Sequence, residues 1–148
     1  MIPRTLLIAS SAFDQLSAES VVSAVARGLA SRGWPTDPCP LEAQDDRSAE
    51  VRALLEALDF DARMRRARAV VIAERRLGER TLAGSATFEI ATRARQAGVP
   101  AYALAGENTL GAFEARILDL QVILEAPATG APNTRALESA ARRLAELV

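Results

Sequence analysis

Residues Leu58–Gly106 read LDFDARMRRARAVVIAERRLGERTLAGSATFEIATRARQAGVPAYALAG. The centre of this stretch runs strand, loop, helix, strand. An apolar run, Ala69–Ala73, is bounded by charge on both sides. A polar loop follows, then a long amphipathic pattern, then Gly98-Val99-Pro100 and a second apolar run, Ala101–Ala105. Two short apolar runs joined by a helix-length segment make a βαβ unit, whose strands are parallel.

The N-terminal part extends that unit. Thr5–Ala9 reads as the first strand and Ser10–Leu16 as the loop after it. Ser17 is a suitable N-cap, and Glu19 in the first turn suits the helix dipole. Val21, Val22, Val25 and Leu29 share one helical face, and Arg32-Gly33 is a stop signal. Trp34–Leu41 is the second strand, but it contains Pro35, Pro38 and Pro40. Proline has no N–H for a ladder, so this strand belongs at an edge. An edge position for strand two fits the order 2-1-3-4-5, the flavodoxin-like arrangement.

On the C-terminal side, Glu42–Ala49 is a polar junction, and Ser48 caps a helix that aligns Val51, Leu54, Leu55 and Leu58. Glu107–Ala115 reads as a short helix or turn, Ile117–Leu124 as strand five, and Ala126–Pro132 as a loop. Asn133 or Thr134 caps a last helix with Leu137, Ala140, Ala141, Leu144 and Leu147 facing inward. The expected fold class is α/β: a three-layer α/β/α sandwich around a five-stranded parallel sheet, with about five helices. A single domain is expected over residues 1–148.

Composition narrows the function classes. Apolar residues make up 49% of the 148 residues and aromatics 4%, so Ala, Val, Leu and Ile must fill the core. A net charge of −1 gives no global field for nucleic acid or an anionic membrane. No apolar run approaches the ~18–20 residues that span a bilayer. The N-terminus lacks the charged start and apolar stretch of a signal peptide. One cysteine, Cys39, permits no internal disulfide, and a cytoplasmic location is expected. The chain has no histidine, and all 18 basic residues are arginine. Arginine binds and polarises but does not shuttle protons. Any acid–base group must therefore be Asp, Glu, Tyr102 or Cys39, and no zinc site can be assembled. Arg63–Arg68 precede the third strand and Arg75–Arg80 follow it, so they sit at opposite ends of the sheet as a solvated, salt-bridged surface. Without stacking aromatics among them, nucleic-acid binding is not expected.

In a parallel sheet of this order, ligands bind beyond the strand C-termini at the switch point between strands one and three. The loops Ser10–Gln15 and Glu74–Ser85 meet there, and the helix N-termini that follow attract anions.

Several segments resemble the bacterial type I glycerate kinase family. Phe60-Asp61-Ala62-Arg63 matches that family's Phe-Asp-x-Arg, and Thr81-Leu82-Ala83-Gly84 matches part of its Gln-Thr-Leu-x-Gly-Lys-x-Pro. Gly98-Val99-Pro100 matches its Gly-Val-Pro, and Leu6–Ala9, Phe13 and Leu16-Ser17-Ala18-Glu19 resemble its opening strand, turn and helix. The resemblance implies the Rossmann-like first domain of an ATP-dependent glycerate kinase, with ATP and Mg²⁺ as cofactors if activity remains. The family's second domain would be inserted near Glu42–Ala49, where this chain has a handful of residues. Where the family has Gly-Glu-Gly-Arg-Leu-Asp, this chain has Ala73-Glu74-Arg75-Arg76-Leu77-Gly78. Where it has Asp-Ser-Phe-Lys, this chain has Ser11-Ala12-Phe13-Asp14, and Gly-Lys-x-Pro becomes Gly84-Ser85-Ala86-Thr87. Both lysines and two acids are replaced. The resulting expectation is a reduced glycerate kinase-like domain with no catalytic residue of its own. It would bind a small anion or nucleotide through Ser10, Ser11, Asp14, Glu74, Arg76, Thr81, Gly84 and Ser85. Two alternatives stand beside it. One is an active hydroxy-acid kinase completed by a partner chain or dimer, with Asp14 and Glu74 as acids and Arg76 as phosphate clamp. The other is an interaction module, homodimeric through the strand-five side, in which Glu74 and Arg76 form a structural ion pair.

Overall fold

The computed structural model describes residues 4–41, 48–126 and 133–148. The strands are β1 (Leu6–Ser10), β2 (Thr36–Pro40), β3 (Ala69–Leu77), β4 (Ala101–Asn108) and β5 (Ile123–Glu125). The helices are α1 (Ala18–Ala30), α2 (Ser48–Ala57), α3 (Phe60–Arg66), α4 (Ala86–Ala97), α5 (Ala112–Leu118) and α6 (Thr134–Ala145). All strand pairs are parallel, in the order β2-β1-β3-β4-β5. This is the expected flavodoxin-like α/β/α sandwich. Among the described residues no helix is long and apolar enough to cross a membrane.

The pleat of each strand divides the core. Leu6 and Ile8 of β1, Val71 of β3 and Leu104 of β4 face α1 and α6. Leu7 and Ala9, Val70 and Ile72 face α2, α3 and α4 instead. Near-continuous apolar strands are what a sheet covered on both sides requires. Ser17 caps α1, accepting from the Ser20 backbone N–H at 3.1 Å, and Gly98 ends α4 in the left-handed conformation.

β2 is an edge strand, as its prolines demand. The Leu41 N–H donates to the Ser10 carbonyl of β1 at 2.8 Å. Alternate residues of a strand address opposite sides, so the missing N–H groups of Pro38 and Pro40 both lie on the outer side.

Several segments differ from the sequence reading. β3 runs on through Glu74, Arg75, Arg76 and Leu77, which read as loop, because β4 also runs on and pairs with it: Arg76 with Glu107, Leu77 with Asn108. The apolar run Ile117–Leu124 is not one strand. Ile117 and Leu118 finish α5, Asp119 turns the chain at φ 52°, and β5 keeps three residues. Ser10, read as the start of the first loop, closes β1 and pairs with Ala73 of β3, and Asp59, at φ 53°, separates α2 from α3. The expected polar junction and the loop before the last helix fall largely on residues 42–47 and 127–132, outside the described residues.

Candidate functional site

The extended ends of β3 and β4 form one wall of a cavity of about 610 Å³. Glu74 and Arg76 of β3 line it, with Gly78, Arg80 and Thr81 of the following 3-10 turn (Glu79–Leu82), Ser85 at the start of α4, and Thr109 after β4. The turn is built locally. Thr81 Oγ1 accepts from the Gly78 N–H at 3.0 Å, and Ser85 Oγ donates to the Thr81 carbonyl at 2.7 Å while accepting from the Phe88 N–H at 3.1 Å. Gly78 leaves room for Thr109, whose Oγ1 would lie 2.8 Å from a Cβ there and would have to shift. These bonds fix the N-terminus of α4 beside the cavity, where its dipole favours negative charge.

The charged side chains differ in how they are held. Glu74 is half-buried, and its Oε2 accepts from the fully buried Thr87 hydroxyl at 3.0 Å. Arg76 reaches across the ladder to Glu107 Oε2 with both Nε at 3.0 Å and an NH2 nitrogen at 2.9 Å. The Arg80 guanidinium has no hydrogen-bond or ion-pair partner among the described residues and is exposed. Formal charges on the lining balance, Glu74 and Glu79 against Arg76 and Arg80. A guanidinium is a donor fork suited to carboxylate or phosphate oxygens.

The sequence-predicted residues divide into two groups. Glu74, Arg76, Thr81 and Ser85 come together around the cavity. Gly84, at φ 93°, shapes the turn behind it, a backbone state that glycine adopts without strain. Ser10, the last residue of β1, and Ser11 and Asp14 on the loop after it lie apart. Ser10 is buried, and its hydroxyl donates to the Ser11 carbonyl at 2.7 Å. Phe13 exchanges backbone hydrogen bonds with Leu16 and plunges into the core at 1% exposure. Asp14 accepts from Arg75 Nε, bridging the loop to β3 across the switch point. The opening lies over β3 and β4, beside the switch point. Gly78, Glu79, Arg80 and Thr109 are the lining residues that sequence reasoning did not single out. Arg80 lay within a run of arginines read as a solvated surface.

Among the described residues no group of three or more Asp, Glu, Cys or His is placed to hold a metal ion. Cys39 is buried on β2, and that burial pushes its thiol pKa up, away from the reactive thiolate.

A sequence model of the glycerate kinase family matches residues 41–148. The chain belongs to the glycerate kinase family. The match begins at the end of β2, so the resemblance seen around Leu6–Glu19 lies outside the matched residues. No curated protein matches the chain. Among solved structures, a diflavin flavoprotein A3 from Nostoc sp. is 15% identical, with a TM-score of 0.50, over 99% of this chain and 94% of that one. A flavone reductase is 14% identical, with a TM-score of 0.51, over 96% of this chain. The glycerate kinase-family chain spans 62% of that reductase. At these identities the likeness is one of fold.

Proposed function

We propose that this glycerate kinase-family domain binds a small anionic ligand, a hydroxy acid or nucleotide, in the cavity beyond β3 and β4, and does not transfer phosphate by itself. The observation that carries the reading is Arg80: an exposed guanidinium without a partner among the described residues, on the wall of that cavity near the start of α4. Thr81, Ser85 and Thr109 add hydroxyls to the same wall. Phosphoryl transfer needs positioned cations, usually Mg²⁺, and a base. Among the described residues no group of three or more Asp, Glu, Cys or His is placed to hold a metal ion, and the two carboxylates on the cavity wall share it with Arg76 and Arg80. Where the resembling family carries lysines, this chain carries Asp14 and Ser85. The single sheet that unites β1 and β2 with the matched strands supports the domain acting as one unit.

A second reading, an active kinase completed by another chain, draws on Glu74. It keeps the family's acid, lines the cavity, and is oriented by Thr87.

Calorimetry with ATP, ADP, glycerate and phosphoglycerate tests the first reading. We expect at least one to bind, with affinity falling about tenfold in Arg80→Gln, the loss of one charge-assisted contact of about 1.5 kcal/mol. Silence for all four overturns it. A coupled ADP-release assay decides the second. Turnover by the purified chain that Glu74→Gln abolishes replaces the binding-only reading with a kinase.

A further inference from the structure

The opposite end of the sheet holds a second concave site. β1 and β2 begin there, and the end of α3 closes it, leaving a cavity of about 420 Å³. Arg4, Thr5, Thr36, Asp37, Arg63 and Arg66 line it. Arg63 is locked. Its Nε donates to Asp37 Oδ2 at 3.0 Å, one NH2 donates to Asp37 Oδ1 at 2.7 Å and to the Pro38 carbonyl at 3.0 Å, and NH1 reaches the Leu58 carbonyl at 3.4 Å. A bidentate fork of this kind is the strong form of the arginine–carboxylate contact. Asp37 is thereby used up neutralising Arg63.

Arg4 and Arg66 remain. Neither has a hydrogen-bond or ion-pair partner among the described residues. The lining therefore carries three guanidinium groups against one carboxylate. Several other arginines are matched, Arg27 with Glu138, Arg75 with Asp14, Arg76 with Glu107 and Arg93 with Asp61 and Glu89, whereas Arg80, also without a partner among the described residues, lines the other cavity. Two like charges held around one concavity repel unless an anion sits between them, and the hydroxyls of Thr5 and Thr36 add donors suited to oxyanion oxygens. A group of charge near −2 balances the excess.

We propose that this groove, between Arg4, Thr5, Thr36 and Arg66, is a second site that takes a phosphate group, separate from the cavity beyond β3 and β4. The phosphate is either free or carried as a monoester, and the locked Arg63–Asp37 pair forms the rigid floor.

The test is an NMR titration of the full chain with inorganic phosphate and, separately, with glycerol phosphate, against sodium chloride at matched ionic strength. Saturable shifts of the Thr5, Leu6, Thr36 and Asp37 amides are expected, and affinity should fall at least fivefold in both Arg4→Gln and Arg66→Gln. These side chains are exposed and unbonded among the described residues, so the variants keep the fold. Tighter binding of the ester identifies a phosphomonoester as the ligand, and equal binding identifies free phosphate. Shifts that fail to saturate, that chloride reproduces, or that are confined to Glu74–Ser85 overturn the proposal. Arg80→Gln serves as the separating control: it should leave this titration unchanged whatever it does at the other cavity.

Discussion

Replacing Gly28 by alanine sets two opposed effects against each other. Gly28 lies near the end of α1, buried against α6. A Cβ built there would stand 2.3 Å from the Glu138 carbonyl oxygen, 2.6 Å from Ala141 Cβ and 3.2 Å from the Arg142 nitrogen. The nearest of these atoms belongs to the α6 backbone, so no side chain can rotate away. Relief requires the two helices to separate by about an ångström, at which distance a non-bonded contact forfeits a quarter to a half of its attraction. The contacts at risk are those of Val21, Ala24 and Val25 with Leu137, Ala140, Ala141 and Leu144. Overpacking typically costs about 1–3 kcal/mol and occasionally more, and with backbone in the way a cost of about 3 kcal/mol is expected. Alanine is the better helix former by about 1 kcal/mol, which works the other way. The net expectation is a loss of about 1–3 kcal/mol, or a midpoint lowered by about 4–8 °C for a loss near 2 kcal/mol in a domain of this size. Urea and thermal unfolding followed by far-ultraviolet circular dichroism measure it. Gly98→Ala is the comparison: it has open space around its Cβ and a φ of +71°, so it should lose only the left-handed strain of about 1–2 kcal/mol. A Gly28→Ala variant as stable as the wild type, or more so, refutes the close approach of α1 and α6.

Phe13→Ala should cost about 3–5 kcal/mol in chemical denaturation, because it empties a fully buried ring position at the switch point. A loss below about 1 kcal/mol would mean that the ring does not pack there. The buried Cys39 thiol has its pKa raised, chiefly by desolvation. The native state therefore keeps this proton where the unfolded chain releases it. That contribution is full below the ordinary thiol pKa of about 8.5 and is lost as pH rises through the folded value. Stability should accordingly fall in the alkaline range, and the fall should be shallower in Cys39→Ala. Parallel pH curves for the two proteins would contradict the burial argument.

The fold could be read from the sequence wherever local chemistry and global placement agree. Ser17 and Gly98 mark helix ends by hydrogen-bonding rules that need no tertiary context, and three prolines place β2 at an edge. Reading failed where pairing overrode hydropathy. Glu74-Arg75-Arg76 reads as loop by polarity, yet it is strand because β4 continues beside it and Glu107 meets Arg76. Gly106 permits this, since a Cβ there would lie 2.6 Å from the Arg75 carbonyl oxygen. Ile117–Leu124 failed because one left-handed aspartate, Asp119, converts half of an apolar run into a helix end. At the site, Glu74, Arg76, Thr81 and Ser85 were legible from motif and position. Arg80 and Thr109 were not, because what distinguishes them is the lack of a partner in one case and the length of β4 in the other.

The outer flank of β2 has a consequence for assembly. Pro38 and Pro40 withhold amide protons from it, and the Arg63 guanidinium already occupies the Pro38 carbonyl. A neighbouring molecule finds a backbone ladder with two of its donors missing and one acceptor occupied on that side. Copies of this protein that met by adding strand to strand would favour the β5 flank. Two such copies would close on each other about a two-fold axis, so the chemistry of one short strand works against sheet-by-sheet growth into a fibre.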